Sequence, residues 1–157
     1  MTIAVRPGST VMFTGDSITD CQRLESEDGL GFGYPLRVAG EWGLRHPDRP
    51  VTWLNTGVGG RKVMDLEARW QTDVLDVRPD VVSILVGVND MGWHTLDPKI
   101  QTVRKLARKY DAHLLDADDM FATLTATTGP EHWAADGVHP TPAGHAALAA
   151  AWLRLIA

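Results

Sequence analysis

The sequence predicts an α/β domain, a parallel sheet with helices on both faces. Three observations lead there. Short β-rich apolar runs stop abruptly at glycine or asparagine. Helical periodicities fall between them. The strongest run, Val81 to Val86, is apolar almost throughout, as a strand buried on both faces should be.

In chain order, Thr10 to Phe13 forms the first strand signal and stops at Gly15. Tyr34 to about Arg45 carries Leu36, Val38, Trp42 and Leu44 at helical spacing and ends before Pro47. Val51 to Leu54 is the second strand, closed by Asn55. Met64 to Val77 places Leu66, Trp70, Val74 and Val77 on one helical face and ends before Pro79. The Val81 run follows and is stopped by Gly87. Asp97-Pro98 is a helix start, an N-cap carboxylate before proline, and Ile100, Val103, Ala107 and Tyr110 make one apolar stripe behind it. His113 to Leu115 is a weaker fourth strand. Thr141-Pro142 repeats the start signal for a last helix carrying Leu148, Trp152 and Leu155. Glu25 to Gly29 is a polar loop, and no repeat or linker is visible.

The 157 residues suffice for one domain, 1–157, able to bury roughly 70% of the surface its unfolded form exposes. A formal charge of −5 argues against nucleic acid or an anionic membrane as partner. Cys21 is the single cysteine, so no internal disulfide forms, and it reads as a small filler. No secretory leader or membrane-length apolar run is visible, which gives a cytoplasmic expectation.

Four short words carry the chemistry: Gly15-Asp16-Ser17, Asn55-Thr56-Gly57-Val58-Gly59-Gly60, Gly87-Val88-Asn89-Asp90 and Asp136-Gly137-Val138-His139. The first three each follow a strand signal, and open α/β sheets bind ligands at the carboxyl ends of their strands. They should therefore meet at one rim. A serine hydroxyl needs a neighbouring base. Ser17 is the candidate nucleophile and His139 its base, with Asp136 close enough to fix the imidazole tautomer. The N–H of Ser17, the N–H of Gly60 and the side-chain amide of Asn89 are the candidate oxyanion donors. Gly57 and Gly59 read as turn residues.

These words resemble the blocks of the SGNH-hydrolase family, also called GDSL-type esterases. Further phrases extend the similarity over nearly the whole chain: Gly15 through Cys21, the run around Leu66, Trp70 and Asp73, and Trp133 through Pro140. They look most like the branch of bacterial carbohydrate acetylesterases, including acetylxylan esterases. The resemblance implies a three-layer flavodoxin-like fold and ester hydrolysis through an acyl-serine, with no metal and no cofactor. The implied partner is a small-molecule or carbohydrate ester. No broad apolar lid segment is evident, so short acyl groups are expected rather than the longer chains of a lysophospholipase or thioesterase.

One departure stands out. Relatives carry a further helix and strand after the Asn89 block, where this chain has only Met91 to Leu96. Two outcomes compete. In the first, His113 to Leu115 moves in beside the Val81 strand, with the Asp97–Tyr110 helix as crossover, and the sheet has four strands. In the second, the gap stays open and exposes a sheet edge through which copies of the chain could associate. Closure would displace the loop carrying Asp136 and His139 by about one strand spacing, roughly 4.8 Å. Closure to four strands is the expected outcome; the long segment Asp116–Ala135 could absorb the shift, or fail to and leave a catalytically impaired interaction module with intact words.

Among the remaining residues, Trp42, Trp53, Trp70 and Trp152 fit core stripes. Trp93 and Trp133 are the candidates for substrate contact, with His94 beside the first. His46 and His113 read as surface or strand-end residues, and His145 as a polar-face or capping residue. Zinc binding by His132, Asp136 and His139 lacks a supporting ligand pattern.

Overall fold

The computed structural model describes residues 2–90 and 96–156. Its centre is a parallel three-stranded sheet of order β2-β1-β3, built from β1 (Thr10–Gly15), β2 (Thr52–Asn55) and β3 (Val81–Leu85). β1 pairs with both neighbours, Thr10 opposite Thr52 on one side and Val11 opposite Val81 on the other. This middle position explains its sequence: Val11, Met12 and Phe13 have no solvent exposure. Side chains alternate along a strand. Val11 and Phe13 share one core cluster with α2 (Tyr34–Arg45) and α6 (Pro142–Leu153), through Tyr34, Val38, Trp42, Leu148 and Trp152. Phe13 lies edge-on to Tyr34 at 5.4 Å, and its centroid is 5.2 Å from that of Trp152. Met12, Leu66 and Val74 are buried outside this cluster.

The connections place the site. β1 runs through Asp16 into a single-turn helix, α1 (Ser17–Asp20), and α2 returns the chain to β2. The expected helix from Met64 to Val77 is divided: α3 spans Val63–Ala68, and a π-helical turn covers Gln71–Leu75. β3 ends in a 3-10 turn at Val88–Asp90. α4 spans Leu96–Lys109, so Asp97 lies inside the first turn and is not its N-cap. α5 (Ala117–Thr128), with Asp116 as its N-cap, lies in a stretch for which the sequence reading gave no element. α6 starts as expected, with the Thr141 hydroxyl accepting the Gly144 N–H.

Two expectations are corrected. The fourth strand does not form, and the sheet has three strands among the described residues. Residues 112–116 form no regular element and make no ladder with β3. They are held by side chains instead: Leu115 packs on the core, and Arg104 of α4 grips Asp116 through a two-pronged ion pair at 2.8 and 2.9 Å. Three residues offer few ladder bonds, each worth about 0.5–1.5 kcal/mol net, and these side-chain contacts fix the segment elsewhere. The α4 stripe is also not a buried one. Val103 is 51% exposed and Tyr110 68%, and Ile84 of β3 is 55% exposed. Among the described residues β3 pairs only with β1, so the open-edge outcome is the one the structure takes there. No helix of the described residues is long and apolar enough to cross a membrane.

Candidate active site

Ser17 stands directly after the central strand, at the first position of α1. Asp16 caps that turn, its carboxylate accepting the Ile18 N–H at 3.1 Å. The carboxylate is 1% exposed. Burial pushes the Asp16 carboxyl up, while the N–H groups of Ile18, Gly87 and Val88 hold it down. Asp16 thus joins the serine turn to the loop leaving β3. Gly15 is required here: a Cβ on it would lie 1.8 Å from the Leu85 carbonyl oxygen.

The Asp136–His139 loop meets this turn from the other end of the chain. The Ser17 hydroxyl lies 3.1 Å from His139 Nε2, and His139 Nδ1 lies 2.7 Å from Asp136 Oδ2. The other Asp136 oxygen accepts the N–H groups of Val138 at 2.9 Å and His139 at 2.7 Å. The His139 ring, followed by these backbone donors, holds the Asp136 carboxyl well below the usual carboxylate range. A carboxylate only accepts, so Nδ1 carries the ring proton and Nε2 presents its lone pair to the serine hydroxyl. Asp136 and His139 side chains are each 56% exposed, so this dyad opens to solvent and to a substrate. The missing middle has not displaced the loop by a strand spacing.

The two glycine words converge on the same rim. Gly60 has φ +75°, the left-handed region that favours glycine, and its N–H meets no protein acceptor among the described residues. The Gly59 N–H is taken by Asp20 Oδ2 at 2.9 Å, which leaves Gly60 as the donor of that loop. Gly57 is a close approach: a Cβ there would sit 2.4 Å from the Asp20 nitrogen. The Asn89 amide donates to the Arg61 carbonyl at 2.9 Å, next in sequence to Gly60, and its second hydrogen has no acceptor among the described residues. Asp90 accepts the Val63 N–H at 3.1 Å, and Lys99 of α4 donates to the Asp90 carbonyl. The Asn89 turn therefore clasps the start of α3.

Trp133 lies on the loop leading to Asp136. Its indole N–H donates to Thr128 Oγ1 at 2.7 Å and its ring meets His132 edge-on, so it is turned toward the end of α5. Trp93 and His94 lie outside the described residues. Asp116, Asp118 and Asp119 form an acidic group whose members each pair with Arg104. His145 takes the capping place of its two expected ones, at the start of α2 rather than on a polar face. It is 6% exposed, and its Nδ1 accepts the Tyr34 N–H at 3.2 Å. The sequence reading also gave no role to Arg69, whose guanidinium reaches the carbonyls of both Gly15 and Thr56.

A parallel α/β sheet with a serine at the end of its central strand, a histidine–carboxylate dyad on its hydroxyl and N–H donors beside it defines a hydrolase of carboxylic esters. The comparisons agree with this class. The model of the GDSL-like lipase/acylhydrolase family matches residues 13–102, and the chain belongs to that family. It is 29% identical to an acetylxylan esterase of Geobacillus stearothermophilus, covering 95% of this chain and 94% of the relative. That alignment runs over 207 positions against a chain of 157, so at least 50 of them (207 less 157) have no counterpart here. A solved mutant of an acetyl-xylooligosaccharide esterase from the same organism superposes with a TM-score of 0.89 at 28% identity, covering 99% of this chain and 96% of the other. Structures of catalytic mutants of that acetylxylan esterase, with an aspartate, a histidine or a serine changed to alanine, superpose with TM-scores of 0.89, 0.89 and 0.88 at 28% identity, covering 98–99% of this chain and 95–96% of theirs.

Proposed function

We propose that the protein removes short acyl groups, acetyl above all, from carbohydrate esters through an acyl-serine intermediate. The observation that carries this reading is the continuous relay from Asp136 through His139 to the Ser17 hydroxyl, at 2.7 and 3.1 Å. Ser17 attacks the ester carbonyl while His139 Nε2 takes its proton. Asp136, an anion throughout, stabilises the imidazolium that results. The N–H groups of Ser17 and Gly60 and the second hydrogen of the Asn89 amide hold the tetrahedral oxyanion. His139 then protonates the leaving sugar hydroxyl and activates the water that releases the acid.

The choice of acyl group and alcohol rests on likeness to the acetylxylan esterase together with the open, solvent-facing dyad. Hydrolysis of p-nitrophenyl acetate and of acetylated xylo-oligosaccharides by the wild type and by Ser17→Ala tests it. The variant should lose at least 10³-fold in kcat, of the order seen on removing a triad member. Retention of most activity would remove Ser17 from the mechanism. Faster turnover of long-chain acyl esters than of acetyl esters would reject the substrate class.

A further inference from the structure

We infer that Arg69 is the positioning residue that sets the spacing of the two backbone oxyanion donors. The inference rests on the esterase reading above and extends it to a group outside the four motifs. Arg69 sits between α3 and the π-helical turn, where the helix changes register. From there its guanidinium donates at 2.7 Å to the Thr56 carbonyl through Nη1 and at 3.2 Å to the Gly15 carbonyl through Nη2. Asp73 pairs with Nη1 and holds the group from behind.

The two carbonyls are not arbitrary. Gly15 immediately precedes Asp16-Ser17, and Thr56 immediately precedes the Gly57–Gly60 loop. The loops have other links: the Val58 N–H donates to the Gly15 carbonyl at 3.1 Å and the Gly59 N–H to Asp20 at 2.9 Å. Only the guanidinium is rigid in two directions. Its planar fork has a fixed separation between Nη1 and Nη2, so it fixes the separation of the carbonyls it binds. Ser17 N–H and Gly60 N–H lie just downstream of those anchors. A developing oxyanion needs both donors in register, and small misplacements there are expensive in rate. Arg23 also spans the two loops, donating to the Gly57 carbonyl at 2.6 Å and pairing with Asp20 at 3.9 Å, but through a single nitrogen and downstream of Ser17. The Nε of Arg69 is buried without a partner among the described residues. The guanidinium is thus aimed at the two carbonyls at the expense of its Nε donor.

The test compares Arg69→Lys, Arg69→Ala and Asp73→Asn with the wild type in steady-state hydrolysis of p-nitrophenyl acetate and in amide hydrogen exchange. An ammonium is a single point and cannot span both carbonyls. Arg69→Lys should therefore lower kcat by about 10–100-fold with KM changed less than threefold. Millimolar guanidinium should restore part of the kcat of Arg69→Ala. Exchange at the amides of Ile18, Gly57, Val58 and Gly59 should quicken in each variant while Val11 to Phe13 of the central strand stay protected. Asp73→Asn keeps Arg69, loosens its aim and should show the same pattern in weaker form, so the inference is still judged if the Arg69 variants do not fold. A folded Arg69→Lys or Asp73→Asn with wild-type kcat and wild-type exchange in both loops overturns it. A wild type inert toward esters would reject the esterase reading, and the exchange data would still decide whether Arg69 holds the two loops.

Discussion

Lowering the pH from 7 to 5 should destabilise this protein in part through His145, and the size of that part can be worked from its surroundings. The ring is buried between α6 and the loop before α2. Its Nδ1 accepts the Tyr34 N–H, and Nε2 lies 3.7 Å from the Cys21 sulfur. Protonation at Nδ1 would eject that acceptor and place a charge in a buried site. Burial, with lesser contributions from Arg37 and His139, pushes the His145 imidazole down to about 4 from 6.5. Between those values the unfolded chain binds a proton that the folded chain refuses. The stabilisation is therefore complete above pH 6.5 and is lost as the pH falls toward 4. The whole span corresponds to about 3 kcal/mol, and the part lost between pH 7 and pH 5 to about 2 kcal/mol. His145→Asn keeps an acceptor near the Nδ1 position and does not titrate. Urea unfolding of both proteins from pH 4.5 to 7.5 isolates the effect, because every other titrating group cancels in the difference. The wild type should lose about 2 kcal/mol more than the variant between pH 7 and 5. Parallel stability curves would refute a buried, neutral His145.

Other perturbations probe the site and its frame. Asp136→Asn should lower kcat by about 10³–10⁴-fold with little change in KM, since an amide cannot stabilise the imidazolium; a loss confined to KM would show that Asp136 does not act through His139. Asn89→Ala should reduce kcat by about 10²-fold, as loss of one oxyanion donor does, and single-turnover measurements should show both acylation and deacylation slowed, since each passes through a tetrahedral oxyanion. Gly15→Ala should prevent stable folding at 37 °C or lower the thermal midpoint by more than 10 °C, because its Cβ meets the Leu85 carbonyl where β1, β3 and the serine turn join; differential scanning calorimetry reads this directly.

The placement of Ser17 was legible because local rules apply to it. A short apolar strand ending at glycine can only hand the chain to a turn at the sheet's carboxyl edge, and Asp16 supplies the cap that such a turn needs. Gly60 was legible for a similar reason, since a run of glycines marks backbone that adopts unusual φ. The fate of His113 to Leu115 was not. Whether this three-residue segment pairs with β3 or docks by side chains depends on the Arg104–Asp116 ion pair and on Leu115 reaching the core, contacts between separate elements that no local periodicity shows. Of the two readings of His145, capping agrees with the structure and a polar face does not, because helical spacing shows which residues share a face and not what that face meets. Here it meets the Tyr34 backbone, 111 residues away in sequence.

The amino-acid order alone determined the α/β class and the parallel strands, because apolar runs, caps and glycines act over a few residues. Tertiary structure decided the rest: a sheet of three strands, a free outer edge on β3 among the described residues, and a dyad that still reaches its serine despite the shortened middle. Those outcomes depend on side-chain contacts between separate elements, from Arg104 with Asp116 to Ser17 with His139, 122 residues apart, and no short-range pattern encodes them.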